Sequence, residues 1–68
     1  MPVVEINFFD GRSIEQKRQI AKEITETLAR VGGSNPAGVH VIFREIKHEQ
    51  WAIGGVMTSD MPPKKPTP

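Results

Sequence analysis

The sequence predicts a small α/β domain: a β-α-β unit with a parallel two-stranded sheet and a short C-terminal hairpin. Three features of the 68-residue chain predict it: an opening β-branched and aromatic run, a middle segment with apolar residues at helical spacing, and a second β-branched run. A strand, a helix and a strand in that order form parallel strands joined by a right-handed crossover. A chain of this length has room for one core, and we expect a single domain over residues 1–60.

The first strand is predicted over residues 3–9, where apolar residues occupy alternate positions at Val4, Ile6 and Phe8. Ser13 and Gln16 have the spacing of a capping box, which predicts that a helix begins at Ser13 or Ile14. Apolar residues then recur at spacings of three and four, at Ile20, Ile24, Leu28 and Val31. The Gly32-Gly33 pair favours a left-handed cap at the end of this helix.

The second strand is predicted over residues 39–46, and it carries bulky apolar residues on both faces. His40 and Arg44 share a face with Ile42 because side chains alternate along a strand. That face either borders a cavity or carries the two polar groups at a rim in water; spacing alone leaves both open. One helix covers only one face of a parallel sheet, so we expect a second copy of the chain to cover the other.

The C-terminal part of the sequence divides into a turn-forming segment and a proline-rich tail. Residues 47–50 are polar and predict a loop in which His48 is solvated. Residues 51–57 predict a short hairpin around Gly54-Gly55. Residues 61–68 are rich in proline and lack core residues, so we expect this tail to be extended or disordered.

Composition excludes several classes of partner. A formal net charge of +1 is too small for a nucleic-acid-binding surface. No apolar run approaches the roughly 20 residues of a membrane span, and the start lacks a signal-peptide pattern, so we expect a cytoplasmic protein. The chain has no cysteine, and His40 and His48 stand apart without companion ligands, so no metal site is expected. Chains this short are usually stabilised by disulfides, metals or partner subunits. Since neither of the first two is expected, we expect a homo-oligomer.

The unusual chemical group that this sequence can make is a secondary amine at Pro2, produced when Met1 is removed. An α-amino group in water titrates at about 7.7 to 8, and burial or a nearby cation favours its neutral, basic form. Arg12, in the turn after the first strand, offers a planar fork for a carboxylate. Trp51, the single tryptophan, is suited to an apolar wall. Taken alone, Arg12 is more often a solvated loop residue and a lone tryptophan more often packs a core or an interface.

Three segments together resemble the 4-oxalocrotonate tautomerase family, and the resemblance covers residues 2 to 59. They are the Met1-Pro2 start, Asp10-Gly11-Arg12-Ser13 with Glu15-Gln16-Lys17-Arg18, and Trp51-Ala52-Ile53-Gly54-Gly55. The resemblance implies that Met1 is removed, that Pro2 is the general base, that Arg12 binds a substrate carboxylate and that Trp51 makes the site apolar. It also implies a hexamer, as a trimer of dimers, with each site assembled from more than one subunit. No cofactor is implied.

The chain departs from the family pattern at His40, where well-studied members carry an arginine that holds the substrate's carbonyl or second carboxylate. A histidine is not always charged, so its hold on a dianion should be weaker and pH-dependent. Arg44 offers a charge from the same strand face. The predicted activity is keto-enol tautomerisation of an unsaturated 2-oxo or 2-hydroxy carboxylic acid. The alternatives are an imine-forming decarboxylase or aldol-type activity of the same amine, and a non-catalytic oligomerising module.

Overall fold

The computed structural model describes residues 1–62, so residues 63–68 of the predicted tail lie outside the described part. Five elements form the fold in chain order: β1 (Val3–Phe9), α1 (Ile14–Arg30), β2 (His40–Ile46), β3 (Ala52–Ile53) and β4 (Val56–Met57). Short 3₁₀ helices span Pro36–Gly38, His48–Gln50 and Thr58–Asp60. The predicted β-α-β unit and hairpin are confirmed.

The main sheet is a parallel pair of strands. β1 and β2 run in register from Val3 opposite His40 to Phe9 opposite Ile46. The second strand begins one residue later than predicted because Val39 caps the preceding 3₁₀ turn, donating its N–H to the Pro36 carbonyl at 3.3 Å. Residues 47–50, predicted as a loop, contain the 3₁₀ helix His48–Gln50.

Both ends of α1 follow from local sequence. At the start, Gln16 N–H donates to Ser13 Oγ at 3.2 Å and Ser13 N–H donates to Gln16 Oε1 at 2.8 Å, which is the predicted capping box. At the end, α-helical hydrogen bonds continue two residues past Arg30, as Gly32 N–H still reaches the Leu28 carbonyl at 3.0 Å. Gly33 then takes the left-handed conformation, with φ of 71°, and ends the helical path.

The two faces of the sheet differ in cover. The face toward α1 carries the alternating apolar residues of both strands, among them Phe8 and Phe43, whose rings stack at 5.8 Å. On the opposite face, called here the open face, Val3 is 51% exposed and Ile42 is 42% exposed. No side chain among residues 1–62 is fully buried. No helix in this part of the chain is long and apolar enough to cross a membrane.

The C-terminal hairpin folds back toward the end of the open face. Gly54 and Gly55 have φ of 60° and 82°, the left-handed pair that a two-residue turn between antiparallel strands requires. The Trp51 ring lies 4.6 Å from the Phe9 ring, centroid to centroid. The return of the chain is fixed by Thr58 N–H, which donates to the Trp51 carbonyl at 2.7 Å.

Candidate active site

Pro2 lies at the entry to β1 and is held by the sheet. Its carbonyl accepts a hydrogen bond from the His40 N–H at 3.0 Å, so the residue has a fixed place beside β2. Pro2 is half-buried, whereas Met1 is 88% exposed. While Met1 is attached, the Pro2 nitrogen is an amide and has no basic lone pair.

His40 lies at the same end of the sheet, on the open face, where its backbone pairs with Val3. Arg44 lies further along the same face, as the alternation predicted, and its Nη2 is 3.5 Å from Glu5 Oε1. The cation at Arg44 is therefore already paired with a carboxylate on β1. Because Arg44 is opposite Asn7 and His40 is opposite Val3, His40 is the polar group at the Pro2 end of this face.

Arg12 lies at the other end of β1, in the turn that leads to α1. Its Nη1 donates to the Phe9 carbonyl at 3.1 Å, and its guanidinium carbon lies 4.3 Å from the centroid of the Phe8 ring. No carboxylate among residues 1–62 lies within ion-pair distance of Arg12. The side chain is thus oriented by a carbonyl and an aromatic face, and its charge is not neutralised by an anion in this part of the chain.

The turn that carries Arg12 is tied to β2 by a carboxylate that the sequence did not single out. Glu45 Oε2 accepts from the Gly11 N–H at 3.4 Å, and Glu45 Oε1 forms an ion pair with Lys17 Nζ of α1. The neighbouring Asp10 N–H donates to a β2 carbonyl at 3.2 Å. Sequence reasoning missed this pair. Its signal was the position of Lys17, which lies three residues before Ile20 and therefore on the apolar stripe of the helix.

An apolar cavity of about 690 Å³ lies beside Phe9 at the far end of the open face; Trp51 packs on Phe9 but does not itself line this cavity. The cavity is lined by Phe9, His48, Ile53, Thr58, Ser59, Met61 and Pro62. None of these lining residues is an aspartate, glutamate, lysine or arginine. The lining of the cavity is therefore suited to contact an uncharged part of a ligand.

His48 is exposed, as predicted, but its ring has fixed contacts. It stacks on Phe9 at 3.9 Å between centroids, and its Nδ1 lies 3.1 Å from Thr58 Oγ1. The Thr58 hydroxyl also donates to the His48 carbonyl at 2.9 Å, so one side chain contacts both the ring and the backbone of His48.

The predicted site residues fall into two groups at opposite ends of β1. Pro2 and His40 lie at its start, whereas Arg12 and Trp51 are attached to its end through Phe9. A seven-residue strand is about 23 Å long at roughly 3.3 Å per residue. A single copy of the chain therefore does not bring all four side chains together around one small molecule. No group of three or more His, Asp or Glu side chains in residues 1–62 is suited to hold a metal ion.

Fold and residue pattern together define the class of small β-α-β proteins that the sequence resembles. The family model described as Tautomerase enzyme matches residues 2–61, and the chain belongs to the tautomerase family. Among curated relatives, a probable tautomerase of Halalkalibacterium halodurans is 37% identical over 60 residues, covering 88% of this chain and 98% of that protein. A probable tautomerase of Lactococcus lactis is 42% identical over 57 residues, covering 84% and 93%.

Solved structures agree with this assignment. The crystal structure of a 4-oxalocrotonate tautomerase homologue superposes with a TM-score of 0.82 at 36% identity, covering 93% of this chain and all of the other. The 4-oxalocrotonate tautomerase homologue YwhB superposes with a TM-score of 0.85 at 30% identity, covering 90% and 100%. A heterohexameric 4-oxalocrotonate tautomerase from Chloroflexus aurantiacus is 27% identical with a TM-score of 0.82. The chain is thus an isomerase of the 4-oxalocrotonate tautomerase type.

Proposed function

We propose that this enzyme catalyses keto-enol tautomerisation of an unsaturated 2-oxo or 2-hydroxy carboxylic acid, with the Pro2 nitrogen as general base. After Met1 is removed, the neutral amine takes a proton from one position of the conjugated acid and returns it at another. The observation that carries the proposal is the hydrogen bond of 3.0 Å between the Pro2 carbonyl and the His40 N–H. It holds the start of the chain in one position at the end of the sheet. The 88% exposure of Met1 leaves that residue accessible to an aminopeptidase.

Arg12 is the proposed carboxylate-binding residue. Its guanidinium is oriented by the Phe9 carbonyl at 3.1 Å and is not paired with a carboxylate of residues 1–62. The guanidinium cation, bound to the substrate carboxylate, stabilises the negative charge that develops on the substrate as the enolate forms. The carbonyl and carboxylate of the substrate accept the electrons themselves, so the proposed reaction needs no cofactor.

His40 and Trp51 complete the proposed site. His40 donates a hydrogen bond to the oxygen that becomes negative, and Trp51 excludes water from the reacting carbon. His40 pairs with Val3 beside Pro2, whereas Arg44 lies four residues further along β2, which favours His40 for this role. Among residues 1–62, no aspartate, glutamate, lysine or arginine lines the apolar cavity beside Phe9, which favours a monocarboxylate with an uncharged tail over a dicarboxylate.

We further propose that each site forms between copies of the chain in a homo-oligomer. Pro2 and Arg12 lie at opposite ends of a strand of about 23 Å. Two copies related by a two-fold axis, with antiparallel β1 strands, would bring Pro2 of one copy toward Arg12 of the other. The exposed apolar side chains of the open face support further burial between copies, and a hexamer built as a trimer of dimers in the cytoplasm is the arrangement we propose.

The proposal is tested by ketonisation of two enols, that of phenylpyruvate and 2-hydroxymuconate, with protein whose mature N-terminus has been read by mass spectrometry. Pro2→Ala should lower kcat by about 10²- to 10⁴-fold, the usual contribution of a general base. Arg12→Ala should raise KM for both acids, whereas Arg18→Ala, in an exposed pair with Glu15, should change neither constant.

Equal rates for the wild type and Pro2→Ala would contradict the proposed activity. A retained Met1 in material from native cells would contradict the proposed base. Borohydride trapping with substrate present separates proton transfer from imine chemistry, because only an imine leaves a covalent adduct on Pro2.

A further inference from the structure

Glu45 occupies a position that connects three parts of the fold. Its carboxylate projects from β2, accepts from the Gly11 N–H at 3.4 Å with one oxygen, and forms an ion pair with Lys17 of α1 with the other. The next residue after Gly11 is Arg12. A carboxylate is thus bound to the backbone immediately before the proposed substrate-binding arginine.

The Lys17–Glu45 pair is more sheltered than the other ion pair of α1. The Lys17 and Glu45 side chains are 21% and 30% exposed, whereas those of Arg18 and Glu15 are 71% and 74% exposed. Exposed pairs within a helix contribute little because water and salt screen them. The sheltered pair joins elements that are 28 residues apart in the chain and holds the helix against the end of β2.

An anion beside an arginine competes with any ligand of that arginine. Arginine and carboxylate form bidentate pairs readily, and the long Arg12 side chain can turn from the Phe9 carbonyl toward Glu45. Lys17 compensates the charge of Glu45, so the carboxylate has less attraction for the guanidinium. This balance leaves Arg12 available to an incoming acid.

We infer that Lys17 is a positioning residue that keeps Arg12 free for the substrate carboxylate by neutralising Glu45. The inference rests on the proposed role of Arg12. Glu45 then has two properties that variants can separate: one carboxylate oxygen accepts from the Gly11 N–H, and the negative charge is neutralised by Lys17.

The test is a pair of variants that separates charge from packing. Lys17→Met keeps the apolar stem and removes the cation, so KM for the phenylpyruvate enol should rise about tenfold, with kcat changing less, as Glu45 captures Arg12. Adding Glu45→Gln to Lys17→Met removes the competing charge while leaving an amide oxygen for the Gly11 N–H. KM should then return to within about twofold of the wild type.

Matched measurements distinguish this role from a structural one. Arg18→Met removes a cation from the neighbouring position of the same helix, and its KM should match the wild type. Unfolding temperatures of all variants are compared at one protein concentration. Should Lys17→Met fail to fold, Lys17→Gln keeps a hydrogen-bond donor for Glu45 without the charge, and it should show the same rise in KM.

Two results would overturn the inference: an unchanged KM in the folded lysine variant, or a raised KM that Glu45→Gln does not restore. In either case a raised KM for Arg12→Ala would show that the role of Arg12 stands and that only the neutralising role of Lys17 is wrong. An Arg12→Ala variant with the KM of the wild type would instead contradict the proposed function itself.

Discussion

His40 is the proposed site residue at which the chain departs from the family pattern, and its side chain bears on which acids the proposed site can hold. His40 lies at the Pro2 end of the sheet, where its N–H pairs with the Pro2 carbonyl at 3.0 Å. A histidine can donate a hydrogen bond to a substrate oxygen, but only an arginine offers a permanent charge and a bidentate fork. Specificity between mono- and dicarboxylates should therefore change with this residue.

We predict that His40→Arg improves the use of dicarboxylates. The added charge-assisted hydrogen bond should lower KM for 2-hydroxymuconate about tenfold relative to KM for the phenylpyruvate enol. The measurement is the ratio of kcat/KM for the two acids. Thr27→Arg adds the same charge at an exposed position of α1 and should leave the ratio unchanged. An unchanged ratio in His40→Arg would mean that this residue does not face the substrate.

Among the secondary-structure elements, the C-terminal hairpin depends most on backbone conformation. Gly55 has a φ of 82°, a conformation that L side chains adopt only with strain. We predict that Gly55→Ala lowers the free energy of unfolding by about 1–2 kcal/mol per subunit. Urea denaturation at one protein concentration measures the loss.

Gly38→Ala is the matched control for that substitution. Gly38 has no left-handed φ, and an added Cβ meets no atom within 4 Å. The same methyl group should therefore leave stability unchanged or raise it slightly, because it restricts the unfolded chain. Equal losses at both positions would contradict the assignment of strain to Gly55.

The elements of the fold followed from local sequence, whereas several contacts of the candidate site did not. Alternating apolar residues predicted β1, a β-branched run predicted β2, and Ser13 with Gln16 predicted the start of α1. The stack of His48 on Phe9 joins residues far apart in the chain, and it depends on where the hairpin returns over the sheet. Sequence periodicity describes one element at a time, so it does not determine such a crossing.

At the scale of the whole molecule, a single copy of the chain leaves apolar side chains exposed to water. Its parallel sheet has α1 on one face, while Val3 and Ile42 are 51% and 42% exposed on the other. Parallel sheets are generally covered on both faces, and symmetric self-association is the usual source of such cover in short chains. Apolar patterning on both faces of β2 predicted this need, and the distribution of the proposed site residues along β1 adds a chemical reason for it.

The proposed assembly makes a prediction that a protomer-bound site does not share. Pro2→Ala and Arg12→Ala proteins, each impaired alone, are mixed, unfolded together and refolded. If each site takes Pro2 and Arg12 from different copies, about one quarter of the sites in random hybrids regain both residues, and ketonisation activity returns to that fraction. Mixing Pro2→Ala with the Pro2→Ala, Arg12→Ala double variant restores no site and is the control. Hybrids no more active than their parents would mean that both residues of a site come from one chain, which the 23 Å length estimated for β1 argues against at about 3.3 Å per residue.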